Sequence, residues 1–212
     1  PVSDGMLRLA TDIRLPDYYK ETDFHHHPGG LRESPLAGIV YRASAGASGG
    51  VVGRAGLHRL FASEVTADRT FARVLDIGCG FGRSTLAFVR TGAETEVVGI
   101  DLSDACLRLA ALLAMDLPEG GRSSYIQADG ADVPQPDESF DLVTSTMLLH
   151  ELPADATRAM TAEAFRLLAP GGEVAHLDFL PPEDNFLRAL YFGHSRRNAE
   201  PHMRDLAAMD LS

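Results

Sequence analysis

The stretch VLDIGCGFG (74–82) has the residue types and spacing of a nucleotide-binding loop. A short apolar run leads into glycines at positions 78, 80 and 82, and a helical pattern follows. Glycines allow a tight turn and let a ligand approach the main chain, and the following helix begins with N–H groups that lack partners. Such a loop can hold the pyrophosphate of a dinucleotide. The dinucleotide fingerprint GxGxxG is nevertheless not met, because Arg83 occupies the third glycine position.

Two acidic residues stand where predicted strands end. Asp101 ends VVGID and Asp129 ends QAD. A carboxylate at a strand end can accept hydrogen bonds from both hydroxyls of a ribose, so both residues are candidates for nucleotide contacts. Each also has a plainer interpretation: Asp101 caps the helix that begins near Ser103, although Ser103 is itself a good N-cap, and Asp129 forms the turn before Gly130.

The segment DFHHHPGG (23–30) is rich in groups that titrate or bind metals. Neighbouring histidines point in different directions, whereas a structural zinc site usually needs four converging ligands, and no matching set of cysteines and histidines occurs elsewhere. We therefore predict no metal site. Two interpretations stay open: a polar lid over the mouth of a site, or a substrate-facing base, for which His26 is the candidate.

Short apolar runs alternate with helical patterns from residue 73 onward. Strands that are apolar on both faces belong to a parallel sheet covered by helices on both sides, so we predict an α/β fold with a doubly wound, mostly parallel, Rossmann-like sheet. Ligands of such sheets bind at the carboxyl ends of the strands. We predict ASAGASGG (43–50) to be a flexible loop. The predicted strands are 73–78, 96–101, 123–129, 140–147 and 173–180, and the predicted helices are 51–65, 82–91, 103–115, 154–169, 185–197 and 201–211.

The glycine loop resembles motif I of the class I S-adenosylmethionine-dependent methyltransferases, in which a strand ends in D-x-G-x-G-x-G. All four fixed positions are matched here, by Asp76, Gly78, Gly80 and Gly82. Asp101, Asp129 and the stretches FDLVTSTMLLHEL (140–152) and LLAPGGEV (167–174) follow in the order typical of the family. The resemblance covers about residues 70–180, and this combination is far more specific than a glycine loop alone.

The resemblance, which points to the small-molecule branch of the family, implies S-adenosyl-L-methionine as the methyl donor and S-adenosyl-L-homocysteine as the product. In the family, the residue in the place of Asp101 binds the donor ribose, and the residue in the place of Asp129 contacts the adenine amino group. We expect Cys79 to contribute its main chain rather than thiol chemistry, because no base neighbours it in sequence. The candidate cofactor-binding residues are Asp76, Gly78, Cys79, Gly80, Asp101, Leu102, Asp129, Gly130 and Thr146.

Methyl transfer requires the protein mainly to hold a nucleophile in line with the donor methyl group. A phenol, enol or amine acceptor can also need a base that takes its proton. His150, in the loop after the fourth strand, is a candidate catalytic residue together with His26; the alternative is that His150 packs against the donor or a lid. Glu151 is a further base candidate, although we expect it to orient a neighbour or face solvent. We expect His176 to be a core histidine and Asp178 to border the acceptor pocket.

The chain divides into three parts. Residues 1–69 are predicted to form an N-terminal, lid-like extension with a helix near 51–65, residues 70–180 the donor-binding core, and residues 181–212 a helical segment on the substrate side. The family's fold normally closes with two antiparallel strands, and no pattern for that pair follows residue 180. The fifth strand is then an exposed edge. We expect the chain to be an incomplete piece of its protein; cover by a partner chain, as in a homodimer, is the alternative.

Composition limits the other classes of function. The net charge of -11 repels phosphate backbones, so we expect no nucleic-acid partner. No run approaches the roughly 18 apolar residues of a membrane span, so we expect no membrane association. The two cysteines form no CxxC pair and fit a reducing cytoplasm.

We therefore predict transfer of a methyl group to an O, N or C atom of a small organic metabolite. Three alternatives stay open: a non-catalytic donor-binding subunit, a nicotinamide-dependent oxidoreductase, and a protein that uses the donor for another reaction. The GxGxG spacing, and the lack of a Tyr-x-x-x-Lys pair, argue against the oxidoreductase.

Overall fold

The computed structural model describes residues 5–27, 29–47 and 53–209. The strands of this part form one six-stranded parallel sheet in the order β1-β4-β3-β2-β5-β6. They are β1 (Leu7–Arg8), β2 (Arg73–Ile77), β3 (Glu96–Asp101), β4 (Ser123–Gln127), β5 (Phe140–Thr146) and β6 (Leu168–Leu177). The predicted α/β fold with a doubly wound, Rossmann-like sheet is confirmed.

Helices pack against both faces of the sheet. Consecutive residues of β2 point to opposite faces and are both fully buried: Val74 packs in a cluster with Phe88, and Leu75 packs in a cluster with Met160. The helices are α1 (Asp17–Glu21), α2 (Ala37–Ala47), α3 (Gly53–Val65), α4 (Arg83–Val89), α5 (Asp104–Met115), α6 (Ala154–Leu167), α7 (Asn185–Arg197) and α8 (Met203–Ala208). Single 3₁₀ turns lie at Phe24–His26, Gly120–Arg122 and Leu149–Glu151.

The order of the strands places a crevice at the centre of the sheet. From β2 the chain moves outward through β3 to β4, and then returns to β5 on the other side of β2. The connections that follow β2 and β5 therefore leave in opposite directions and open a gap at the carboxyl ends of these two strands. This is the place where ligands bind in open parallel sheets.

The N-terminal segment differs from the prediction in two places. Leu7 and Arg8 pair in parallel with Tyr125 and Ile126, so the extension contributes the edge strand β1 to the sheet. Residues 43–47 belong to α2 rather than to a flexible loop, because a run of alanines favours a helix even when glycine and serine interrupt it. Residues 48–50 of the predicted loop lie outside the described residues.

The sheet ends at β6 in the described residues. This strand was predicted at 173–180 but spans Leu168–Leu177, with an irregular register between Phe140 and Leu142 of the neighbouring β5. After β6, the described residues contain α7 and α8 and no strand, so β6 is an edge. The predicted helix 185–197 matches α7, and the shorter α8 replaces the predicted 201–211, of which residues 210 and 211 lie outside the described residues.

In the described ranges, none of the helices combines the length and the apolar character that crossing a bilayer requires.

Ser103 joins the N-terminal segment to the sheet layer. As predicted, its hydroxyl caps α5, where it accepts a hydrogen bond from the Cys106 N–H at 3.2 Å. The same hydroxyl donates to the carbonyl of Leu31 at 2.6 Å, and the residue is 1% exposed. One buried side chain thus serves a helix terminus and a segment 72 residues away.

We predict that Ser103→Ala lowers the free energy of unfolding by about 1–2 kcal/mol, because the cap and the hydrogen bond to Leu31 are both lost. Urea denaturation followed by circular dichroism measures this. Ser63→Ala, at an exposed position inside α3, is the control and should change stability by less than about 0.5 kcal/mol. Equal effects of the two substitutions would contradict the double role of Ser103.

Candidate active site

A cavity of about 640 Å³ opens at the carboxyl ends of β2, β3 and β5. Its volume lies in the range of small-molecule sites, and its walls combine aromatic, aliphatic and acidic side chains. The N-terminal segment contributes much of the wall. Of the predicted cofactor-binding residues, the cavity is lined by Gly78, Cys79, Gly80, Asp101, Leu102, Asp129, Gly130 and Thr146.

The glycine loop after β2 forms the floor of the cavity. Gly78, Gly80 and Gly82 all have positive φ, of 68°, 52° and 83°. At Gly82 a Cβ atom would lie 2.9 Å from the Tyr125 hydroxyl and 3.1 Å from Ala110 Cβ, so α5 and β4 approach the loop more closely than a side chain allows. The GxGxG pattern is therefore required both by the backbone conformation and by the packing beneath it.

Cys79 lies within this loop with its thiol buried. Burial strongly raises the pKa of the thiol, and the nearby carboxylate of Asp101 raises it further. Its N–H donates to the carbonyl of Ile100 at 3.0 Å. A protonated, buried thiol is a poor nucleophile, which favours the expectation that Cys79 contributes its main chain.

Asp76 lies behind the loop and is fully buried. Its Oδ2 accepts hydrogen bonds from the hydroxyls of Ser84 and Thr85, each at 2.6 Å, and so ties the end of β2 to the first turn of α4. Its Oδ1 has no hydrogen-bond partner in the described part of the chain. Burial raises the pKa of Asp76 to about 6. Unlike the other predicted cofactor-binding residues, Asp76 is not in the cavity lining.

Asp101 lines the cavity and holds the loop at the same time. Its Oδ2 accepts a hydrogen bond from the Gly80 N–H and its Oδ1 one from the Ser103 N–H, both at 2.8 Å. Burial raises its pKa to about 6, although both N–H groups favour the charged form, and the charge of Glu151 adds to the rise. The two interpretations of Asp101 coincide, since it lies at the helix start and also faces the cavity.

Asp129, Gly130 and Thr146 complete the rim at the ends of β4 and β5. Asp129 accepts a hydrogen bond from the Ala131 N–H at 2.9 Å, as expected of a turn residue, while it lines the cavity. Thr146 is 6% exposed, and its hydroxyl has no hydrogen-bond partner among residues that the structure describes. A nearly buried hydroxyl without a partner at a cavity wall is available to a ligand.

The two predicted catalytic histidines lie outside the cavity lining. His150 is 2% exposed and donates from Nδ1 to Asp178 at 2.7 Å. Burial lowers its pKa, but the hydrogen bond and the charge of Asp178 outweigh burial and raise it overall. His26 is exposed and donates from Nε2 to the carbonyl of Arg197 at 2.9 Å. His176 lies with Nδ1 2.7 Å from the Ser145 hydroxyl, and burial lowers its pKa.

The sequence analysis predicted neither the contact of His25 with Glu151 nor the aromatic side chains that line the cavity. Glu151 lines the cavity, and Nε2 of His25 donates to its Oε1 at 3.0 Å. The His25 ring stacks on Tyr41, with ring centroids 5.2 Å apart. The aromatic wall consists of Tyr18, Tyr19, Phe24, Tyr41 and Phe81. The aromatic residues scattered through the first 50 positions were the available signal.

No group of three or more His, Cys, Asp or Glu side chains in the described ranges is arranged to hold a metal ion.

The sequence of this chain is similar to those of known methyltransferases. A family described as a methyltransferase domain matches residues 74–172. The ubiquinone/menaquinone biosynthesis C-methyltransferase UbiE of Azotobacter vinelandii is 36% identical over 146 residues, which cover 66% of this chain and 56% of that protein. The enzyme of the same name from Teredinibacter turnerae is 35% identical over 159 residues, which cover 73% and 63%. The chain thus spans less than two thirds of the length of these relatives.

Solved structures agree on the fold. The YcgJ protein of Bacillus subtilis superimposes with a TM-score of 0.55 at 27% identity, over 66% of this chain and 58% of that one. The [4+2]-cyclase SpnF superimposes with a TM-score of 0.56 at 28% identity, over 66% and 50%.

The packing beneath the glycine loop can be tested by substitution. We predict that Gly82→Ala lowers the free energy of unfolding by about 2 kcal/mol or more, because the new Cβ combines an unfavourable φ with contact against Tyr125. Gly121→Ala is the matched control: its Cβ would meet nothing within 4 Å, and stability should change by less than about 1 kcal/mol. Urea denaturation of both variants measures the difference, and similar midpoints would contradict the close approach.

Proposed function

Because the chain belongs to the class I S-adenosylmethionine-dependent methyltransferases, we propose that it transfers the methyl group of S-adenosyl-L-methionine to an O, N or C atom of a small organic molecule. When bound, the donor supplies an electrophilic methyl group on a positively charged sulfur. The observation that carries the proposal is that one cavity brings together the glycine loop, Asp101, Asp129 and the Thr146 hydroxyl.

The residues at this cavity suit an adenosine-containing ligand. Main-chain groups of Gly78 and Gly80 lie at the floor, and neither residue has a side chain of its own to keep a ligand away from the backbone. Asp101 is proposed to accept hydrogen bonds from the ribose hydroxyls, and Asp129 from the adenine amino group. Asp76 supports the proposed site from behind, because its two hydrogen bonds fix the first turn of α4 against β2.

The acceptor is proposed to bind between the core and the N-terminal segment. Tyr18, Phe24 and Tyr41 of the N-terminal segment line the cavity and offer flat apolar surfaces. The division into an extension (1–69), a donor-binding core (70–180) and a helical segment (181–212) is kept in this proposal, with β1 as a part of the extension that joins the sheet. The relatives named as ubiquinone/menaquinone biosynthesis enzymes make reduced quinones suitable first probes.

Partners and location are proposed on separate grounds. The charge of -11 argues against nucleic acid as substrate. Cys79 and Cys106 are free thiols, which is typical of a reducing compartment such as the cytoplasm. A second copy of the chain at the β6 edge is a proposed cover for that strand.

Donor binding is the first test. Calorimetric titration should show binding of S-adenosylmethionine and none of NADPH, and Asp101→Ala should weaken donor binding by about 10-fold or more, since hydrogen bonds to a charged group are lost. Asp104→Ala, outside the cavity lining, should leave donor affinity unchanged. Binding of NADPH alone would overturn the proposal.

Because the pKa of Asp101 is about 6, donor affinity of the unaltered protein should fall as the pH drops below about 6.

Acceptor identity is the second test. The protein is incubated with S-adenosylmethionine and a panel of reduced quinones, phenols and amines, and mass spectrometry follows each compound. We expect one compound to gain a single methyl group together with an equal amount of S-adenosylhomocysteine. Donor binding without methyl transfer to any compound would instead favour a non-catalytic subunit or another use of the fold, of which the [4+2]-cyclase SpnF is an example among the structural neighbours.

A further inference from the structure

Three side chains from three distant segments meet in a line behind the cavity wall. Glu151 lies in the 3₁₀ turn after β5, His25 in the N-terminal 3₁₀ turn, and Glu200 between α7 and α8. Nε2 of His25 donates to Glu151 Oε1 at 3.0 Å, and Nδ1 of His25 lies 3.5 Å from Glu200 Oε1. We call this arrangement the Glu151–His25–Glu200 triad.

Burial differs along the triad. The side chain of Glu151 is 19% exposed and lines the cavity, that of His25 is 17% exposed, and that of Glu200 is 4% exposed. Glu200 Oε2 lies 3.7 Å from Nε2 of His194 and makes no hydrogen bond within the described ranges. Burying a carboxylate costs free energy unless positively charged groups lie close to it. The imidazoles of His25 and His194 lie close to Glu200 and can carry that charge.

Hydrogen bonds to the backbone hold His25 and Glu200 in place. The N–H of His25 donates to the carbonyl of Asn198 at 2.8 Å, and His25 has a positive φ of 55°. The hydroxyl of Ser195 donates to the Glu200 carbonyl at 2.6 Å, and the Glu200 N–H donates to the Ser195 carbonyl at 3.0 Å. The N-terminal segment is thereby fastened to the end of α7 at the point where the triad forms.

We propose that Glu151 takes the proton of the methyl acceptor, and that His25 and Glu200 are positioning residues that hold Glu151 and set its charge environment. This inference rests on the proposed methyltransferase function. Among the candidate bases, Glu151 is the one that lines the cavity, whereas His150 and His26 do not. The hydrogen bond from His25 fixes Oε1 of Glu151 and leaves Oε2 to receive the proton.

The step balances without a further reactant. The bond between the acceptor atom and its hydrogen breaks, and the proton goes to Oε2 of Glu151. The freed electron pair forms the bond to the methyl carbon, the bond from sulfur to that carbon breaks, and its electrons stay on sulfur, which becomes a neutral thioether. Glu151 later loses the proton to solvent, to which it is partly exposed.

The charge of His25 acts on proton transfer to its neighbour Glu151. Burial lowers the pKa of His25, but the hydrogen bond and charge of Glu151, followed by the charge of Glu200, outweigh burial and raise it overall, while His150 opposes the rise. His27 and Tyr41 are the other titratable groups against the ring. A protonated imidazole beside Oε1 of Glu151 repels the proton that the acceptor gives up, so the methyl-transfer rate should rise as the pH rises through the pKa of His25.

The first arm of the test needs no acceptor. Nuclear magnetic resonance of the imidazole groups measures the pKa of each histidine in the full chain, with His25 assigned through His25→Gln. We expect His25 to titrate above its ordinary value, and Glu200→Gln to lower that pKa, because a negative charge facing Nδ1 is removed. Glu173→Gln, which alters an exposed pair with Arg69, is the control and should leave it unchanged. An ordinary pKa of His25, or one that ignores Glu200→Gln, overturns the proposal.

The second arm measures kcat against pH with the panel compound that becomes methylated. Glu151→Gln should lower kcat by about 100-fold while donor affinity is kept. Glu200→Gln should move the acidic limb of the profile to lower pH, a shift that a merely structural role would not produce. Unchanged kcat in Glu151→Gln overturns the proposal. Failure of the methyltransferase function itself gives a different result. His25 then titrates above its ordinary value as expected, but the protein does not bind the donor or no compound gains a methyl group. The proposal falls in that case too, because it rests on methyl transfer.

Discussion

The buried carboxylate of Asp76 is the constraint on which the site geometry depends. It lies at the end of the central strand, and its hydrogen bonds to Ser84 and Thr85 fix where α4 begins relative to β2. The loop between these two points is thus tied to the sheet at both ends, and Asp101 holds the same loop from β3 through the Gly80 N–H. Both carboxylates have a raised pKa because burial disfavours their charge. Burying these two carboxylates costs free energy, and the hydrogen bonds that they accept hold the backbone at the floor of the cavity.

The packing around this floor connects it to β4, to α5 and to the N-terminal segment. The Tyr125 hydroxyl of β4 and Ala110 of α5 approach Gly82 so closely that the loop rests directly on them. Ser103 then links α5 to the N-terminal segment through Leu31, and that segment carries the aromatic wall of the cavity. The apolar core therefore supports the glycine loop, and the contact of Ser103 with Leu31 ties the segment that lines the cavity to the same core.

Local patterns predicted the sheet well and the remote contacts poorly. Strands β2 to β5 and the Ser103 cap were readable because apolar runs and capping residues act over a few positions. Strand β1 has two residues, too few to show any periodicity, and the Ala-rich run in α2 was obscured by its glycine and serine. The histidine that reaches the cavity wall is His25, not His26, and this depends on a partner 126 residues away. The side-chain direction of one histidine among three follows from tertiary contacts that no local pattern records.

The separation of the triad members along the chain has a consequence for how the protein folds. His25, Glu151 and Glu200 stand 126 and 49 residues apart in sequence order. Closing such long loops costs entropy that only the packed core can repay, so contacts within and between neighbouring βα units form before them. The sheet can be complete while the triad is still open. We therefore expect the N-terminal segment to join the segment after α7 late in folding, so that the proposed proton transfer becomes possible only after the sheet has formed.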